Sequence, residues 1–392
     1  MNAGNLQYKG VDLPVIKNTA IDRQTVTIGS YDNHAQTNHH NSLDLQYELQ
    51  AQGGFLKELS SKQSSTELFT KAQRLAYLEK YGGHCMSSST LQPNMRFFDC
   101  PGVGYIAYQD KWGERIVLSD PIAAPEHQSK ILELFIACSH KPVSFVHISK
   151  TTAEILSQKL GFFSTAMGHE NEIQLSGWKL SGKKKQIFRT ALNQAQKQQI
   201  EIRENPSETA TATLSNVSEQ WLQTRNCKQK HIEFLIRPET LTDESHVRKF
   251  YAYQNNQIIA FIYFDPIYRE NKIIGYVPNI SRANQSFKQG LFYAMMATAL
   301  QEFKEEGVEI INLGLTPLVP TKVSDSNNIK SSKWLERLFK LTYRFGQSFY
   351  NFSGIHFTKS RFRAQSHPCY VASNKRIPMK AFLACLRLCN VI

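Results

Sequence analysis

The stretch GLFYAMMATALQEFKEEGVEIINLGLTPL, residues 290–318, combines a helix, a strand and an abrupt stop. Apolar residues recur at helical spacing as far as Phe303, and a short apolar run after Gly307 predicts a strand. Gly314 and Pro317 then interrupt regular strand pairing. Such an interruption is either a plain surface turn or unpaired backbone against which a ligand binds.

The same order of elements occurs twice in the chain. VGYIAYQDKWGERIVLSDPIAAP (103–125) alternates apolar and polar residues around a turn at Gly113, which predicts a hairpin, and a helix and a strand follow it. VRKFYAYQNNQIIAFIYFDPIY (247–268) predicts a second hairpin, turning at Asn255 and Asn256, ahead of the stretch quoted above. The repeated order indicates a mixed α/β (α+β) fold with two related units.

Changes in composition divide the chain into four parts. We expect a polar extension at residues 1–69, a first α/β unit at 70–176, a basic linker helix at 177–205 and a second α/β unit at 206–392. His34, His39 and His40 lie in the extension, where a solvated segment is a better explanation than a metal site.

The balance of charge is informative about partners. The chain has 392 residues and a net charge of +13, and 41% of its residues are hydrophobic, as in a folded globular protein. No apolar run approaches the roughly 18–20 residues that cross a bilayer. The N-terminus also lacks the layout of a signal peptide, so we expect a cytoplasmic protein. The positive charge predicts a polyanionic partner, either nucleic acid or an anionic membrane surface.

Two segments carry much of this charge. In residues 177–204, seven lysines and arginines accompany two glutamates, and the segment is an anion-binding helix or a solvated one. Residues 322–363 hold nine lysines and arginines against two acidic residues, interleaved with nine aromatic residues. That mixture suits base stacking or a lipid interface, although we expect most of these aromatic side chains in the core.

The seven cysteines form no CxxC pair, and their number is odd. We therefore expect reduced, mostly buried thiols, and neither a disulfide framework nor a zinc site. The C-terminal KRIPMKAFLACLRLCNVI (375–392) predicts a core or interfacial helix rather than a lipidated end at Cys389.

Several stretches, in order along the chain, resemble one family. SEQWLQTR (218–225), YVPNISR (276–282), the 290–318 stretch and FYNFSGIHFTKSRFRAQSHPCYVA (349–372) resemble the C-terminal synthase domain of bacterial phosphatidylglycerol lysyl- and alanyltransferases, the multiple peptide resistance factor proteins. The resemblance covers about residues 70–390. It implies two tandem acetyltransferase-like (GNAT) folds joined by a basic helix. Family members usually carry a membrane-embedded flippase domain ahead of this one, and these residues contain none.

The resemblance implies transfer of an amino acid from aminoacyl-tRNA to the glycerol hydroxyl of phosphatidylglycerol or a related lipid. Such a site orients a hydroxyl and an activated ester and stabilises an oxyanion, so we expect no metal and no cofactor. The expected partners are aminoacyl-tRNA and an anionic lipid surface, and both account for the positive charge. The expected location is the inner face of the cytoplasmic membrane, and the family's role is resistance to antimicrobial peptides.

The resemblance also assigns candidate catalytic residues. Arg282 matches a family arginine of the active-site cleft, and Lys359 matches a lysine that can hold a phosphate. Asn279 stands where the family commonly has an aspartate, whose charge could bind the α-amino group of the donor. Glu233 is the nearest candidate for a family glutamate, with a structural salt bridge an equal explanation.

The resemblance further assigns residues to substrate binding. In a GNAT fold two central strands splay apart, and Gly314 and Thr316 would border that splay with amides facing a carbonyl or a phosphate; we favour this over a plain turn. The residues expected to contact tRNA are those that match the linker helix, namely Lys183, Lys184, Lys185 and Arg189.

Two other functions compete with this one. An acyl-CoA-dependent GNAT N-acyltransferase needs a Q/R-x-x-G-x-G/A turn for the pyrophosphate, and NQSFKQGLFYAMM (284–296) supplies Gly290 alone. A non-catalytic module that binds RNA or membrane is the other alternative, and the neutral Asn279 is the feature that supports it.

Overall fold

The computed structural model describes residues 68–204, 211–223, 233–238, 244–284, 290–319, 328–346 and 351–391, which all belong to the unit Phe55–Ile392. The predicted extension lies outside the described residues as far as residue 67, and so do His34, His39 and His40.

Strands and helices alternate along the described chain. The strands are β1 (Arg96–Cys100), β2 (Gly104–Lys111), β3 (Glu114–Leu118), β4 (Ile122–Ala123), β5 (Val143–Ile148), β6 (Phe163–Gln174), β7 (Ile200–Glu204), β8 (Arg248–Gln254), β9 (Gln257–Arg269), β10 (Lys272–Ala283), β11 (Ile310–Pro317) and β12 (Gln365–Ser373). The helices are α1 (Lys71–Tyr81), α2 (Gln128–Ala137), α3 (Lys150–Lys159), α4 (Gln186–Lys197), α5 (Thr211–Gln223), α6 (Leu291–Glu305), α7 (Lys333–Phe345), α8 (Phe352–Ser360) and α9 (Met379–Leu388).

Local sequence explains the ends of several elements. α1 begins with a capping box, because the Thr70 side chain accepts a hydrogen bond from the Gln73 amide and the Gln73 side chain accepts one from the Thr70 amide. It ends at Gly82, whose amide donates a hydrogen bond to the Leu78 carbonyl. Asn255 and Asn256 both have positive φ, 50° and 61°, which suits the tight turn predicted between β8 and β9.

The described strands form one mixed sheet. Its order is β1-β2-β3-β5-β12-β6-β11-β10-β9-β8-β7, and the short β4 pairs with β2. β6 and β11 pair antiparallel and join the two runs of strands. β12, expected within the second unit, pairs with β5 and β6 of the first. The two predicted units therefore share one sheet, and the second contributes a strand to the first.

Each half of the sheet contains a helical crossover between parallel strands. β3 and β5 are parallel and α2 lies between them in the chain, while β10 and β11 are parallel and α6 lies between them. Antiparallel strands precede each crossover, β1 to β3 in one half and β8 to β10 in the other. The order predicted from the two hairpins is present twice, and the mixed α/β fold class is confirmed.

Aromatic packing fixes α6 on the second half of the sheet. Phe303 of α6 is fully buried and stacks on Tyr276 of β10 with ring centroids 4.6 Å apart. It also meets Phe250 and Phe264 edge to face. Burial of each such ring stabilises the fold by roughly 1.5–3 kcal/mol. The chain leaving α6 therefore enters β11 directly beside β10.

Candidate active site

β10 and β11 pair only where they begin. The register joins Gly275 to Ile310 and Tyr276 to Ile311. Further along, β10 stays paired with β9 as far as Ala283, and β11 stays paired with β6 as far as Pro317. The two parallel strands therefore diverge and leave a gap inside the sheet. The interrupted end of the 290–318 stretch borders this gap.

Gly314 lies at an irregularity of β11 beside the gap. Its φ is +72°, a conformation that favours glycine, and the β6 register shifts between Asn312 and Leu315. The Gly314 amide donates a 2.8 Å hydrogen bond to Asn312 Oδ1, so this amide is engaged within the strand. A Cβ at Gly314 would lie 3.9 Å from Lys359 Nζ, at ordinary van der Waals distance, so the lysine amine lies directly beside this glycine.

Lys359 reaches this bulge from the C-terminal part of α8. Its Nζ donates a 2.7 Å hydrogen bond to the carbonyl oxygen of Leu315. Burial lowers the pKa of Lys359 to about 8, so the ammonium is still the main form at neutral pH. The structure thus places Lys359 beside Gly314, two residues that the sequence assigned to one site.

Glu170 of β6 is the centre of a buried network that sequence reasoning missed. Its Oε1 lies 2.8 Å from His147 Nε2 and 3.1 Å from His84 Nε2, and its Oε2 accepts a 2.9 Å hydrogen bond from Asn312 Nδ2. Burial raises the pKa of this carboxyl, but the neighbouring imidazoles outweigh burial and hold the pKa well below its usual range. Because Asn312 also accepts the Gly314 amide, the network supports the bulge of β11.

A second buried network surrounds Asn279 of β10. Asn279 Nδ2 donates a 2.6 Å hydrogen bond to Asp265 Oδ2, and Asp265 is almost fully buried. Arg237 donates to the same carboxylate through Nε and through Nη2, the latter at 2.7 Å. A carboxylate is therefore present beside Asn279, but Arg237 neutralises it. Asn279 keeps its Oδ1 as an acceptor.

Arg282, three residues after Asn279 in β10, is buried beneath an aromatic ring. Its guanidinium carbon lies 3.9 Å from the ring centroid of Trp221 in α5, and its Nη1 donates to the Ser281 carbonyl at 3.1 Å. The arginine is 7% exposed. Its guanidinium is thus held in one orientation on the β10 side of the gap.

Two further predicted residues have different surroundings. Thr316 is fully buried, and its Oγ1 accepts a 2.7 Å hydrogen bond from Asn171 Nδ2 of β6, so its hydroxyl joins β11 to β6. Glu233 is half-buried, and its backbone carbonyl accepts the Leu235 amide. Its carboxylate forms no ion pair with the rest of the described chain.

A basic cleft of about 630 Å³ lies at the start of α4. Four cations line it, namely Lys183, Lys184, Arg361 and Arg363. Its other walls come from α4 and from the start of α6, through Gln186, Ile187, Thr190, Ala191, Gly290 and Tyr293. Arg361 follows Lys359 by two residues, so one short segment contributes to this cleft and to the strand gap. Four cations around one cleft suit a ligand with several phosphates.

The other two linker residues expected to contact tRNA, Lys185 and Arg189, face inward. Lys185 Nζ donates to the carbonyl of Phe362 at 2.8 Å and lies 3.6 Å from the ring centroid of Trp178. Arg189 donates to the carbonyls of Leu180 and Gly182. Both side chains therefore hold the linker against the fold, whereas Lys183 and Lys184 are exposed.

The sequence contained a signal for the missed network. HENE, residues 169–172, is a polar run inside a predicted strand, and three of its four residues are buried with less than a tenth of their surface exposed. A polar run on both faces of a central strand indicates buried hydrogen bonding. His84 and His147 carry no comparable signal because their contacts are long-range.

Comparison with known proteins agrees with the predicted family. Residues 75–373 match the family described as phosphatidylglycerol lysyltransferase, C-terminal. The chain is 25% identical over 321 residues to the phosphatidylglycerol lysyltransferase of Bacillus subtilis (strain 168), covering 79% of this chain and 36% of that protein. For the Staphylococcus aureus (strain MRSA252) protein of the same name, identity is 24% and coverage is 76% and 35%. The chain thus spans about a third of the length of these relatives.

Solved structures share the fold. The structure of L-PGS from Bacillus licheniformis superposes with a TM-score of 0.68 at 22% identity, covering 82% of this chain and 97% of that one. A C-terminal domain from Agrobacterium fabrum, described as a lysylphosphatidylglycerol synthetase, gives a TM-score of 0.63 at 18% identity, covering 80% and 93%. Because the family match spans well over half of the residues, the chain belongs to the phosphatidylglycerol lysyltransferase C-terminal family.

Proposed function

We propose that this chain transfers an amino acid from aminoacyl-tRNA to the glycerol hydroxyl of phosphatidylglycerol. The relatives' names support the reaction, and the observation that carries it here is the gap between β10 and β11. The gap lies inside a continuous sheet and is bordered by Arg282 on one strand and by Lys359 beside the other. Such a setting fixes two cations while excluding bulk water, as transfer from an activated ester requires.

The basic cleft is the proposed site for the donor. The acceptor end of a tRNA is single-stranded and carries one negative charge per phosphate, so its binding needs clustered lysines and arginines. Lys183, Lys184, Arg361 and Arg363 supply them, and Tyr293 offers an aromatic ring in the same cleft. Because Arg361 lines the cleft and Lys359, two residues earlier, borders the gap, the aminoacyl end of a tRNA bound in the cleft would reach the gap.

The transfer step exchanges one ester for another. The glycerol hydroxyl oxygen attacks the carbonyl carbon of the aminoacyl ester, its proton leaves, and the tRNA ribose oxygen departs and takes up a proton. Lys359 is proposed to hold the lipid phosphate or the developing oxyanion, because it is a partly buried cation beside Gly314. Asn279 Oδ1 is the proposed acceptor for the α-ammonium group of the donor.

The acceptor is proposed to arrive from an anionic membrane that meets the α7/α9 surface, defined here as the exposed faces of helices α7 and α9. Phe339 of α7 and Phe382 of α9 pack together, with ring centroids 6.5 Å apart. Four large apolar side chains on this surface are exposed, namely Leu341, Phe345, Met379 and Leu383. The exposed cations beside them are Lys333, Arg337, Lys340, Arg344, Lys380 and Arg387.

This mixture suits peripheral attachment to anionic lipid, at roughly 1 kcal/mol for each basic residue near the surface. In the part of the chain that the structure describes, the helices are too short or too polar to span a bilayer.

The reaction can be tested with purified protein, charged total tRNA carrying radiolabelled amino acids, and phosphatidylglycerol vesicles. Labelled lipid that disappears after RNase treatment is the expected result, and it also identifies the amino acid. Arg282→Lys keeps the charge but changes the planar group on Trp221, so we expect a clear loss of transfer with normal folding. Full activity of that variant would remove Arg282 from the site.

One observation favours a second candidate, acyl transfer from acyl-CoA. Gly290 caps the start of α6 with φ +83° and lines the basic cleft, where a helix N-terminus and four cations could hold a pyrophosphate. Replacing charged tRNA by acyl-CoA in the same assay separates the two. Label transfer from acyl-CoA alone would contradict the proposed donor.

A further inference from the structure

We propose that His84, Cys85, His147 and Glu170 bind one divalent metal ion, and that the chemistry of these donors selects zinc. The four residues offer two imidazole nitrogens, a sulfur and a carboxylate oxygen, and these atoms all lie within 4.8 Å of one another. Two histidines, a cysteine and a glutamate are ligands that zinc accepts in proteins. The proposal is independent of the reaction assigned above.

The spacing of the donor atoms suits one ion. His147 Nε2 lies 2.8 Å from Glu170 Oε1, His84 Nε2 lies 3.1 Å from the same oxygen, and Cys85 Sγ lies 3.7 Å from His147 Nε2. Bonds of about 2.0–2.3 Å to a tetrahedral zinc place its ligands roughly 3.2–3.8 Å apart. These three separations lie within about 0.4 Å of that range, and the four donor atoms together span at most 4.8 Å, so side-chain shifts of about an ångström or less complete the site.

The local structure aims the donors at one point. His84 Nε2 is buried and lies 3.1 Å from Glu170 Oε1, the same oxygen that His147 Nε2 approaches. His147 is buried within β5 with φ +56°, and buried Ser119 nearby has φ +70°. Left-handed backbone at buried, non-glycine positions is costly and is typical of functional sites.

The second nitrogen of His84 has a partner ready for the metal-bound form. Nδ1 lies 3.0 Å from Ser119 Oγ, which can accept its proton once Nε2 binds metal. The Met86 amide also lies 3.2 Å from Nδ1, but of these two neighbours only the Ser119 hydroxyl can accept a proton from the ring.

Charge balance favours a dication at this point. Cys85 is a free, buried cysteine, and zinc binds cysteine as the thiolate. Zinc binding would release the thiol proton and leave a thiolate and a carboxylate around the dication. The two ligand charges then match the charge of the ion, as a buried site requires.

Four protein ligands would close the coordination sphere, so the ion would be structural. It would join the turn after α1 to β5 and β6. Through Glu170 Oε2 and Asn312 it would also stabilise the bulge at Gly314. Sequence spacing could not show this site, because its donors come from three distant segments.

The test is metal analysis of the purified full chain followed by cobalt substitution. We expect about one zinc per chain by mass spectrometry, and in cobalt-loaded protein the absorption of a thiolate-to-cobalt charge transfer with tetrahedral d–d bands. The cobalt–thiolate band excludes metal bound only by histidines of residues 1–84, which contain no cysteine. Zinc added to metal-free protein should also raise its Tm.

Cys85→Ser should abolish the charge-transfer band, whereas Cys138→Ser, a matched change at another free cysteine, should leave it intact. If Cys85→Ser fails to fold, His147→Gln provides the second variant and should weaken zinc binding at least about tenfold. Wild-type protein without stoichiometric metal and without the cobalt–thiolate band would overturn the proposal. Equal zinc binding by wild type and both site variants would do the same.

Discussion

Lys359 Nζ donates a 2.7 Å hydrogen bond to the carbonyl oxygen of Leu315, and this contact joins the end of α8 to the bulged end of β11. The two residues are 44 positions apart in the chain. The contact brings a partly buried cation to the gap between β10 and β11, beside Gly314. The proposed transfer site depends on this placement.

Removing the charge of Lys359 should reduce transfer strongly. We expect Lys359→Met to lower the rate of lipid labelling about 100-fold, because a positioned cation that stabilises developing negative charge is worth that much. The measurement is the initial rate of labelled lipid formation. Lys272→Met, a change at an exposed lysine that begins β10, is the control and should stay near wild type. Normal activity of Lys359→Met would contradict the assignment.

The exposed linker lysines should govern RNA binding. The double variant Lys183→Glu/Lys184→Glu should weaken tRNA binding and reduce the slope of log affinity against log salt by about 2, one for each lost phosphate contact. Filter binding at several salt concentrations measures this. Lys197→Glu, at the opposite end of α4, should change neither quantity appreciably. An unchanged slope in the double variant would mean that the cleft binds no RNA.

Restoring the family's aspartate at position 279 should cost stability. In Asn279→Asp the hydrogen bond from Nδ2 to Asp265 is lost, and a third carboxylate is added beside Arg237, which already pairs with Asp265 and Glu244. We expect the free energy of unfolding to fall by about 1–3 kcal/mol at neutral pH, measured by urea denaturation. Asn255→Asp at the exposed hairpin tip should stay within about 0.5 kcal/mol. Equal losses in both variants would show that the buried network is not responsible.

The α7/α9 surface should bind anionic vesicles. Leu341→Ser/Phe345→Ser removes two exposed apolar side chains from α7, and we expect binding to phosphatidylglycerol vesicles to fall several-fold while the fold is kept. Co-sedimentation with vesicles measures the binding. Trp112→Ser removes an exposed aromatic side chain from the β2–β3 turn and serves as the control. A larger effect of the control would place the membrane contact elsewhere.

Lys185 should make stability depend on pH in the alkaline range. Burial, with Arg363 nearby, lowers its pKa from 10.5 to about 8. Between these values the unfolded chain binds more protons than the folded chain, so the free energy of unfolding contributed by Lys185 rises with pH. We expect Lys185→Met to remove about 1 kcal/mol of that rise, measured by denaturation at the two ends of this window. Lys111→Met, at the end of β2, should leave the pH dependence unchanged.

Much of the fold was predictable from local patterns. Both hairpins, the crossover helices and the strand broken at Gly314 follow from apolar periodicity and from glycine and asparagine positions. The insertion of β12 between β5 and β6 was not predictable, because strand partners far apart in the chain are chosen by sheet packing.

Some residues of the candidate site were likewise predictable from the sequence, and others were not. Sequence resemblance indicated Arg282, Asn279 and Lys359, and the charge run indicated Lys183 and Lys184. The sequence could not show that Lys185 and Arg189 turn inward. A lysine or arginine that binds a phosphate has the same sequence pattern as one that donates to a backbone carbonyl.

The sequence by itself therefore determined which segments form helices and strands, where strand pairing is interrupted and how strongly positive the chain is. The tertiary structure alone decided that Glu170 meets two histidines, a cysteine and Asn312, and that Asp265 lies beside Asn279. The physical reason is the sequence separation over which each kind of interaction acts. Periodicity and turn chemistry act over a few residues, whereas hydrogen bonds and charge pairs in a buried site join side chains that only the folded sheet brings together.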